Sequence, residues 1–501
     1  MTSTPHLPRR MMPARSTGDR RHGSARWIAL MFIALAQLMI ALDATIVNIA
    51  LPSVQAALGF TDADRQWVIT AYTVSFGGLL LLGGRIADHI GRTRAFVIGL
   101  AGFAVASAVG GLATDLTVLT AARAAQGAFG ALLGPTVLAL LAVTFTEPRE
   151  RGTAFAIFGA IAGGGGAVGL VLGGVLTESF SWRACLFVNV PIALVAAVGA
   201  WYLRGSTRAS NGTRLDIPGA ALATAGLVAL VLACTRAAAL GWSSALVIGL
   251  LGAGGALLAL FALRESRAAS PLLPLRILAD RNRVGAYLSV AFAVAGMLGL
   301  FLFLTYYLQV VLGYSPVTAG LAFLPLSAAV LLSAQLVAGR LLPRVAPRVL
   351  IVPGLLVAAA AMVLLTRLTP GSGYATAVLP AEILLGLGMG SVFTPAISTA
   401  TSAVATRDAG VAAAVVNTAQ QVGGSLGVAV LNTVAAGAAL RYLGAHPDLP
   451  AGPTAALVHG YTTAAGLAAA ILTAAAVLAA VLINAGPPAH PRPTSPARST
   501  S

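Results

Sequence analysis

The chain has 501 residues, of which 58% are hydrophobic and only 9% are charged, and its mean hydropathy is +0.89. Soluble globular proteins carry about 25% charged residues, so this composition excludes a soluble protein and indicates an integral membrane protein. All 31 basic residues behind the net charge of +16 are arginines. Without lysine there is no Gly-Lys phosphate-binding loop, which excludes a nucleotide-driven pump of that kind.

Fourteen apolar segments are long enough to cross a bilayer as helices. About 20 apolar residues, rising ~1.5 Å each, span the ~30 Å hydrocarbon core. The predicted spans lie at about 27–51, 66–84, 94–113, 116–141, 153–177, 184–203, 217–235, 243–263, 284–311, 316–339, 348–366, 374–396, 409–435 and 459–484. We therefore expect an all-α integral membrane protein with 14 transmembrane helices.

The distribution of arginine predicts the orientation of these helices. With the N-terminus in the cytoplasm, 25 arginines fall in the tails and cytoplasmic loops, five fall in the outer loops, and Arg123 falls within a span. Basic residues accumulate on the cytoplasmic side of membrane proteins, so both termini are predicted to be cytoplasmic. The tails, 1–26 and 485–501, are rich in Arg, Pro, Ser and Thr and are predicted to be disordered.

Two motifs lie in the first span and in the loop after the second span. The first span contains LDATIVNIALP at 42–52, where Asp43 is a carboxylate in an apolar run. The loop contains GGRIADHIGRTRAF at 83–96, where Gly84 permits close helix approach and Gly91 a tight turn. An aspartate in such a loop caps a helix or accepts from arginine. The residues of the loop pattern are Gly84, Asp88, Gly91, Arg92 and Arg94.

Three further stretches lie in the fourth, fifth and thirteenth spans. The fourth span reads LTAARAAQGAFGALLGP at 119–135 and contains Arg123 and Gln126. The fifth reads GAIAGGGGAVGLVLGGVL at 159–176, and its glycines allow a helix to bend and to pack closely. The thirteenth reads NTAQQVGGSLGVAVLNT at 417–433 and brings polar groups to mid-membrane depth. The residues of interest in the last two stretches are Gly169, Gly173, Gly174, Asn417, Gln420 and Gln421.

Together these stretches resemble the signatures of the major facilitator superfamily, specifically its fourteen-helix drug:proton antiporter branch, over essentially the whole chain. The resemblance implies two six-helix halves, 27–203 and 284–484, with two inserted helices in 204–283. It also implies that the 83–96 loop is a conformational latch that stabilises the outward-facing state, and that the fifth span is an antiporter-type helix. Leu170 stands where the family has proline, which removes a preset bend.

Three ionisable residues, Asp43, Arg123 and Glu382, are predicted to lie well inside the membrane. At ~1.5 Å per residue they lie ~6, ~10 and ~12 Å below the outer boundary, which places them in one layer. Buried charges pair or line an aqueous cavity, so we expect Asp43 and Arg123 to pair when the cavity is shut. Their separation would change the proton affinity of Asp43, as proton coupling requires. Glu382 is a candidate second site, and fixed structural contacts are the alternative for all three.

Polar and aromatic residues in other spans are candidates for a substrate cavity. The candidate lining residues are Asn48, Gln126, Tyr306, Tyr307, Asn417, Gln420 and Gln421. Aromatic rings stack on flat or cationic ligands, which adds Tyr72 and Phe76 as further candidates. Ordinary packing is the alternative interpretation of each aromatic residue.

The predicted function is proton-coupled export of lipophilic or cationic small molecules, such as drugs and antibiotics, across the cytoplasmic membrane by alternating access. The expected partners are the substrate, protons and the lipid bilayer, without nucleic acid, and the chain is expected to act as a monomer. The two cysteines, Cys185 and Cys234, and the six histidines do not have the spacing of metal ligands. No metal or cofactor is therefore expected. The alternatives are an importer of a small nutrient with the same fold, and a membrane enzyme or sensor, which the lack of a catalytic constellation disfavours.

Overall fold

The fold is built from α-helices, and no strand occurs in the part of the chain that the computed structural model describes. The described residues are 17–61, 64–145, 147–201, 216–268, 271–273, 275–342, 344–402, 409–446 and 452–486. The helices are α1 (Thr17–Leu58), α2 (Gln66–Ile90), α3 (Arg92–Gly111), α4 (Leu116–Thr144), α5 (Pro148–Ser179), α6 (Ala184–Phe187), α7 (Asn189–Val198), α8 (Ile217–Leu240), α9 (Ala245–Arg267), α10 (Arg281–Tyr306), α11 (Pro316–Ala322), α12 (Leu324–Leu336), α13 (Pro347–Leu365), α14 (Leu379–Thr401), α15 (Ala409–Ala445) and α16 (Gly452–Leu482).

The helices match the fourteen predicted spans in order. Among the described residues, 13 apolar helical segments are long enough to cross a membrane, and the shorter Ala184–Val198 supplies the fourteenth span. Two spans are broken, at Val188 between α6 and α7 and at Phe323 between α11 and α12. Pro191 and Pro325 follow these breaks, and proline breaks a helix because it lacks the N–H that would bond one turn back. The prediction of an all-α membrane protein is confirmed.

The helices at the two ends of the chain begin earlier than the sequence predicts. Helix α1 begins at Thr17, so residues 17–26, predicted to be part of a disordered tail, are helical. Helix α16 begins at Gly452, before the predicted start of the last span. Apolar composition marks only the part of a helix that lies in hydrocarbon, whereas arginine and alanine favour continuation of the helix into the interface. The tail residues 1–16 and 487–501 lie outside the described residues.

The packing of α1–α7 is repeated in α10–α16. In the first group, α1 packs against α4, α5 and α7, and α4 packs against α2 and α3. In the second group, α10 packs against α14, α15 and α16, and α14 packs against α12 and α13. The two groups meet along two seams, where α2 packs against α15 and α5 packs against α11. This is the packing of two related helical bundles, as transporters with internal repeats have.

Helices α8 and α9 form a pair outside both groups. Helix α8 packs against α9 and also against α2 and α15, at the seam where these two helices meet. Thr433 of α15 donates a hydrogen bond to the Cys234 carbonyl of α8 at 2.8 Å, and Gly78 of α2 faces Thr224 of α8. The inserted pair therefore contacts both groups at one seam.

Side-chain contacts close the two groups onto each other where α1 ends and α2 begins. Arg65, at the start of α2, is 2% exposed. Its Nε donates to Asn432 Oδ1 at 3.1 Å, and its guanidinium carbon lies 4.2 Å from the centre of the Tyr306 ring. Gln309 of the second group donates to the Ile49 carbonyl of α1 at 2.9 Å. In the predicted orientation this is the outer end of the interface between the groups, and it is closed.

Arg65→Ala is expected to open this end of the interface. Hydrogen bonds to a charged group contribute about 1.5–3 kcal/mol each, so their loss should raise the population of the open state at least ~10-fold. The measurement is the rate at which a membrane-impermeant maleimide labels Asn48→Cys, a buried position, in a background lacking Cys185 and Cys234. Arg236→Ala, which removes an exposed arginine, is the matched control. Equal labelling rates in the Arg65 and Arg236 variants would contradict the closure assigned to Arg65.

Candidate functional site

A buried ion pair joins α1 to α4. Arg123 Nη1 lies 2.7 Å from Asp43 Oδ2, and the two side chains are 2% and 0% exposed. A charge in hydrocarbon costs at least ~2.5–3.5 kcal/mol when it stands alone, so each member of the pair requires the other. The contact that the sequence analysis expects between these two residues is therefore present, and it is shielded from solvent.

Amide side chains occupy the other oxygen of the Asp43 carboxylate. Gln126 Nε2 of α4 donates to Asp43 Oδ1 at 3.0 Å, and Asn189 Nδ2 of α7 donates to the same oxygen at 2.8 Å. Gln126 also donates to the Ser107 hydroxyl of α3 at 2.7 Å. Helices α1, α3, α4 and α7 thus contribute to one hydrogen-bonded network, in which the carboxylate accepts from three side chains.

The guanidinium group of Arg123 is held from several directions. Its Nε donates to the Val68 carbonyl of α2 at 3.0 Å, and Nη1 donates to Gln126 Oε1 at 3.0 Å. The ring centre of Tyr72 on α2 lies 4.4 Å from the guanidinium carbon, which is a cation–π contact. A buried ion pair is favourable only when such additional bonds satisfy its remaining donors and acceptors. At this site, Nε and Nη1 of Arg123 and both carboxylate oxygens of Asp43 have such bonds.

The sequence does not predict two members of this network, Asn189 and Ser107. Both side chains are 0% exposed. Each is a single polar residue in an apolar span, and such residues are frequent as helix-to-helix contacts, so residue type alone does not single them out. A sequence signal for Asn189 does exist. Pro191 follows it by two residues, and a proline predicts a break in the helix close to this polar side chain.

Glu382 lies in the second helical group, at the start of α14. Its side chain is 0% exposed, and its Oε1 has no hydrogen-bond partner among the described residues. Tyr374 Oη lies 2.6 Å from the Ala322 carbonyl oxygen and 3.2 Å from Glu382 Oε2. The hydroxyl has one hydrogen for two acceptors, and the shorter contact takes it. A proton on Glu382 would satisfy the longer one.

Glu382 and the ion pair do not form one cluster. The sequence predicts a common depth for Glu382, Asp43 and Arg123, and this stays a prediction. In the structure the two carboxylates belong to different helical groups, and no hydrogen bond among the described residues joins them. Depth along a helix is readable from sequence, whereas the direction in which each helix presents its side chain is not.

The loop after α2 makes the turn that its glycine predicts. Gly91 joins α2 to α3 with a φ of 93°, a backbone conformation that favours glycine. Asp88 pairs with Arg92 of the same loop at 3.5 Å, and Arg94 is exposed. Two charged residues of the predicted latch, Asp88 and Arg92, are therefore paired with each other within their own helical group.

The close approach predicted at Gly84 occurs at the preceding residue instead. A Cβ on Gly83 would lie 2.2 Å from the Ala131 carbonyl oxygen of α4. A Cβ on Gly84 would lie 3.5 Å from Pro135, which is ordinary contact. One residue turns a helical side chain by about 100°, so Gly83 and not Gly84 faces the backbone of α4.

Glycines of α5 bring this helix against both groups. A Cβ on Gly169 or Gly173 would lie 2.2 or 2.7 Å from atoms of α1. A Cβ on Gly174 would lie 2.5 Å from a backbone oxygen of α11, and one on Gly320 of α11 would lie 2.5 Å from the Leu170 carbonyl oxygen. The glycines of the predicted antiporter-type helix therefore permit close packing on a helix of their own group and on a helix of the other.

The predicted cavity residues near the outer end, Asn48, Tyr306 and Tyr307, each contact a different part of the structure. Asn48 is buried and donates to a carbonyl of its own helix at 3.2 Å. Tyr306 belongs to the outer closure around Arg65. The Tyr307 hydroxyl lies 2.8 Å from the carbonyl oxygens of Thr369 and Ser372. Tyr307 is therefore bonded to the connection between α13 and α14.

The polar residues predicted on the thirteenth span lie on α15. Asn417, Gln420 and Gln421 are half-buried. Gln421 lies at the seam with α2, since a Cβ on Gly77 would lie 2.7 Å from the Gln421 Cβ. Gln421 is therefore a sequence-predicted cavity residue that lies at the boundary between the groups. Phe76 is buried in the core of the first group, in agreement with the alternative interpretation that it is an ordinary packing residue.

Arg123→Met is expected to destabilise the protein by about 3–5 kcal/mol, because Asp43 is left buried without its charged partner. The double variant Arg123→Met/Asp43→Asn should recover at least ~1 kcal/mol of this loss. The measurement is a double-mutant cycle of unfolding in detergent. The exposed pair Arg92 and Asp88, substituted in the same way, should give a coupling energy below ~0.5 kcal/mol. Equal coupling energies in the two pairs would show that burial does not strengthen the Asp43 contact.

Known proteins similar to this chain identify its family. The Major Facilitator Superfamily profile matches residues 33–428. The puromycin resistance protein of Streptomyces alboniger is 53% identical over 475 residues, which cover 94% of this chain and 94% of that protein. The cephamycin export protein of Amycolatopsis lactamdurans is 42% identical over 424 residues, which cover 84% and 87%. The fold is similar to an inward-facing, unoccupied crystal structure of a bacterial homologue of the human lysosomal transporter Spinster, with a TM-score of 0.64, 16% identity, and 91% and 97% coverage. The chain belongs to the major facilitator superfamily of membrane transporters.

Proposed function

We propose that this transporter exports antibiotic-type small molecules across the cytoplasmic membrane in exchange for protons. The observation that carries the proposal is the Asp43 carboxylate, which is fully buried in a membrane-spanning helix and accepts hydrogen bonds from three side chains. Intramembrane carboxylates mark proton and ion pathways. The names of the two relatives, for puromycin resistance and cephamycin export, support the direction of transport and the class of substrate.

The ion pair gives a physical basis for proton coupling. In the outer-closed arrangement, the Asp43 carboxylate balances the charge of Arg123 at 2.7 Å. A proton on Asp43 removes the negative charge, so the attraction that holds α1 to α4 at this point weakens. Conversely, a movement that separates the two side chains changes the affinity of Asp43 for a proton. Proton binding and helix movement are thereby linked.

The first turn of α2 connects the ion pair to the outer closure. The Val68 carbonyl accepts from Arg123, and the Val68 N–H bonds to the Arg65 carbonyl at 3.3 Å. Arg65 in turn reaches Asn432 of the second group. A change in the position of Arg123 is transmitted along this path, and the two groups then rock about their seams to expose the interface to each side alternately.

Glu382 is proposed as a second site, for a proton or for a substrate cation. Its Oε1 is buried and has no hydrogen-bond partner among the described residues, so it is available to a cationic group, which binds carboxylates by charge-assisted hydrogen bonds. The competing role is local, because Tyr374 links Glu382 to the Ala322 carbonyl at the break between α11 and α12.

The loop from Gly84 to Arg94 is proposed as the latch of the outward-facing state. In this structure the outer end of the interface is closed, and Asp88 pairs with Arg92 of its own loop. That pairing fits a latch that is released while the outer side is shut.

Topology and energy source complete the proposal. The excess of arginine in the tails and in every second connection supports cytoplasmic positions for both termini. The transporter is proposed to work as a monomer without a cofactor, with the proton gradient as its energy source and with contacts only to substrate, protons and lipid.

Export is tested first in cells that lack other efflux pumps. Expression of the chain should lower puromycin accumulation, and a protonophore should abolish the difference, because the proposed driving force is the proton gradient. Raised accumulation would favour the same-fold importer, for which Leu170 in place of proline is the motivating residue. Accumulation that expression does not change, or a difference that survives the protonophore, counts against proton-coupled export.

Asp43→Asn tests the proposed proton site directly. In proteoliposomes with an imposed pH gradient, the variant should lose at least ~10-fold in proton-driven substrate exchange, equivalent to about 1.4 kcal/mol of barrier, because an amide does not bind a proton at neutral pH. Asp115→Asn is the matched control, since Asp115 is an exposed N-cap of α4 and asparagine caps a helix equally well. Proton movement at the wild-type rate in Asp43→Asn would remove the proposed role of Asp43.

A further inference from the structure

Asn189 differs from the other partners of Asp43 because half of its polar side chain is unused. Its Nδ2 donates to Asp43 Oδ1 at 2.8 Å, and the side chain is fully buried. Its Oδ1 has no hydrogen-bond partner among the described residues. A buried oxygen without a hydrogen-bond partner destabilises the folded protein by about 1–3 kcal/mol. The unpaired acceptor beside Asp43 therefore has a cost that a function could explain.

The other two partners of Asp43 have no spare acceptor. Arginine carries only N–H donors, so Arg123 cannot accept a hydrogen bond from the O–H of protonated Asp43. Gln126 uses its Oε1 to accept from Arg123, and its Nε2 donates to both Asp43 and Ser107. Rotation of the Gln126 amide would break all three bonds. Among the three side chains that bond to Asp43, Asn189 is the one whose acceptor oxygen has no hydrogen-bond partner among the described residues.

A carboxyl group needs different neighbours in its two protonation states. An ionised carboxylate only accepts hydrogen bonds, whereas the protonated form has an O–H that must be donated. A half-turn of the Asn189 amide about its last side-chain torsion exchanges Nδ2 and Oδ1, which places an acceptor beside the same carboxyl oxygen. One amide therefore satisfies either form of Asp43 where no water is available.

We propose that Asn189 is a positioning residue that donates to ionised Asp43 and accepts from protonated Asp43. This inference deepens the proposed function and rests on Asp43 being the proton site. Asn189 is the first residue of α7, directly after the break at Val188, so its backbone belongs to a helix that starts beside Asp43. The amide lets the carboxyl group of Asp43 gain or lose a proton while keeping a hydrogen-bond partner in either state.

Few ionisable side chains face Asp43 from the described elements packed against α1. Arg123 of α4 lies 2.7 Å away, and Tyr72 of α2 lies over the Arg123 guanidinium. Cys185 of α6 is bonded to Thr177 of α5. Helix α5 presents glycines to α1 around Asp43, and its Glu150 pairs with Arg26, 17 residues before Asp43 on α1, at 3.5 Å. Tyr306 of α10 bonds to Gln55 near the other end of α1. A change in pH profile on substitution of the asparagine therefore reports on Asp43.

The test measures proton-driven substrate exchange across a range of pH in proteoliposomes. Asn189→Leu removes both the donor and the acceptor. Hydrogen bonds to a charged carboxylate are stronger than those to a neutral carboxyl group, so loss of the donor favours the protonated form. The pH of half-maximal exchange should therefore rise, to a proton concentration about three to ten times lower than in the wild type.

A second variant covers the case in which Asn189→Leu does not fold. Asn189→Asp is nearly isosteric and places another carboxyl group beside Asp43, so the two share a proton and the midpoint should move further upward. Thr136→Val is the control, because Thr136 is buried and its hydroxyl donates to the Leu132 carbonyl of its own helix. Its pH profile should match the wild type.

Infrared difference spectra give a readout that does not depend on transport. The C=O stretch of protonated Asp43 should be absent in Asp43→Asn, and should rise in frequency in Asn189→Leu because the O–H has lost its acceptor. Unchanged pH midpoints and an unchanged carboxyl band in the Asn189 variants would overturn the inference while leaving Asp43 as the proton site. Proton coupling retained in Asp43→Asn would instead overturn the proposed function.

Discussion

A carboxylate and a guanidinium group in hydrocarbon hold each other in place because neither is stable there alone. The contact of 2.7 Å between Asp43 and Arg123 fixes which faces of α1 and α4 meet. Arg123 also binds the Val68 carbonyl, one helical turn from Arg65, whose contacts close the outer end of the interface. A single short segment of α2 therefore touches both the charge pair and the contact between the two groups.

Close helix packing keeps this polar network dry. Because Gly83 has no side chain, α2 packs closely against the backbone of α4, and Gly169 and Gly173 let α5 pack closely against α1. Larger side chains at these positions would separate the helices that surround Asp43 and admit water. In water the attraction between the charges falls to about 1 kcal/mol at 4 Å, so the contact that joins α1 to α4 would weaken. The glycine-rich stretches and the buried charges thus depend on each other.

The sequence predicts most of the fold and the charged part of the site. Long apolar runs predict membrane-spanning helices, and the opposite charges within them, Asp43 and Arg123, predict a buried pair. Asn189 is different, because lone polar residues in spans often bond to their own helix, as Asn48 and Thr136 do. The helices of this chain are apolar on nearly all faces, so their sequences do not specify their rotation about their own axes. Contacts between distant helices therefore become visible only in the structure.

The inserted helices give the two seams unequal surroundings. Helix α8 lies over the seam of α2 and α15, where Thr433 bonds to the Cys234 carbonyl, whereas the seam of α5 and α11 has no inserted helix beside it among the described residues. The two groups cannot part at the covered seam without sliding along α8. Within the described residues, the boundary between the groups is therefore covered by an inserted helix on one flank only, an asymmetry in the plane of the membrane that two related halves alone would not produce.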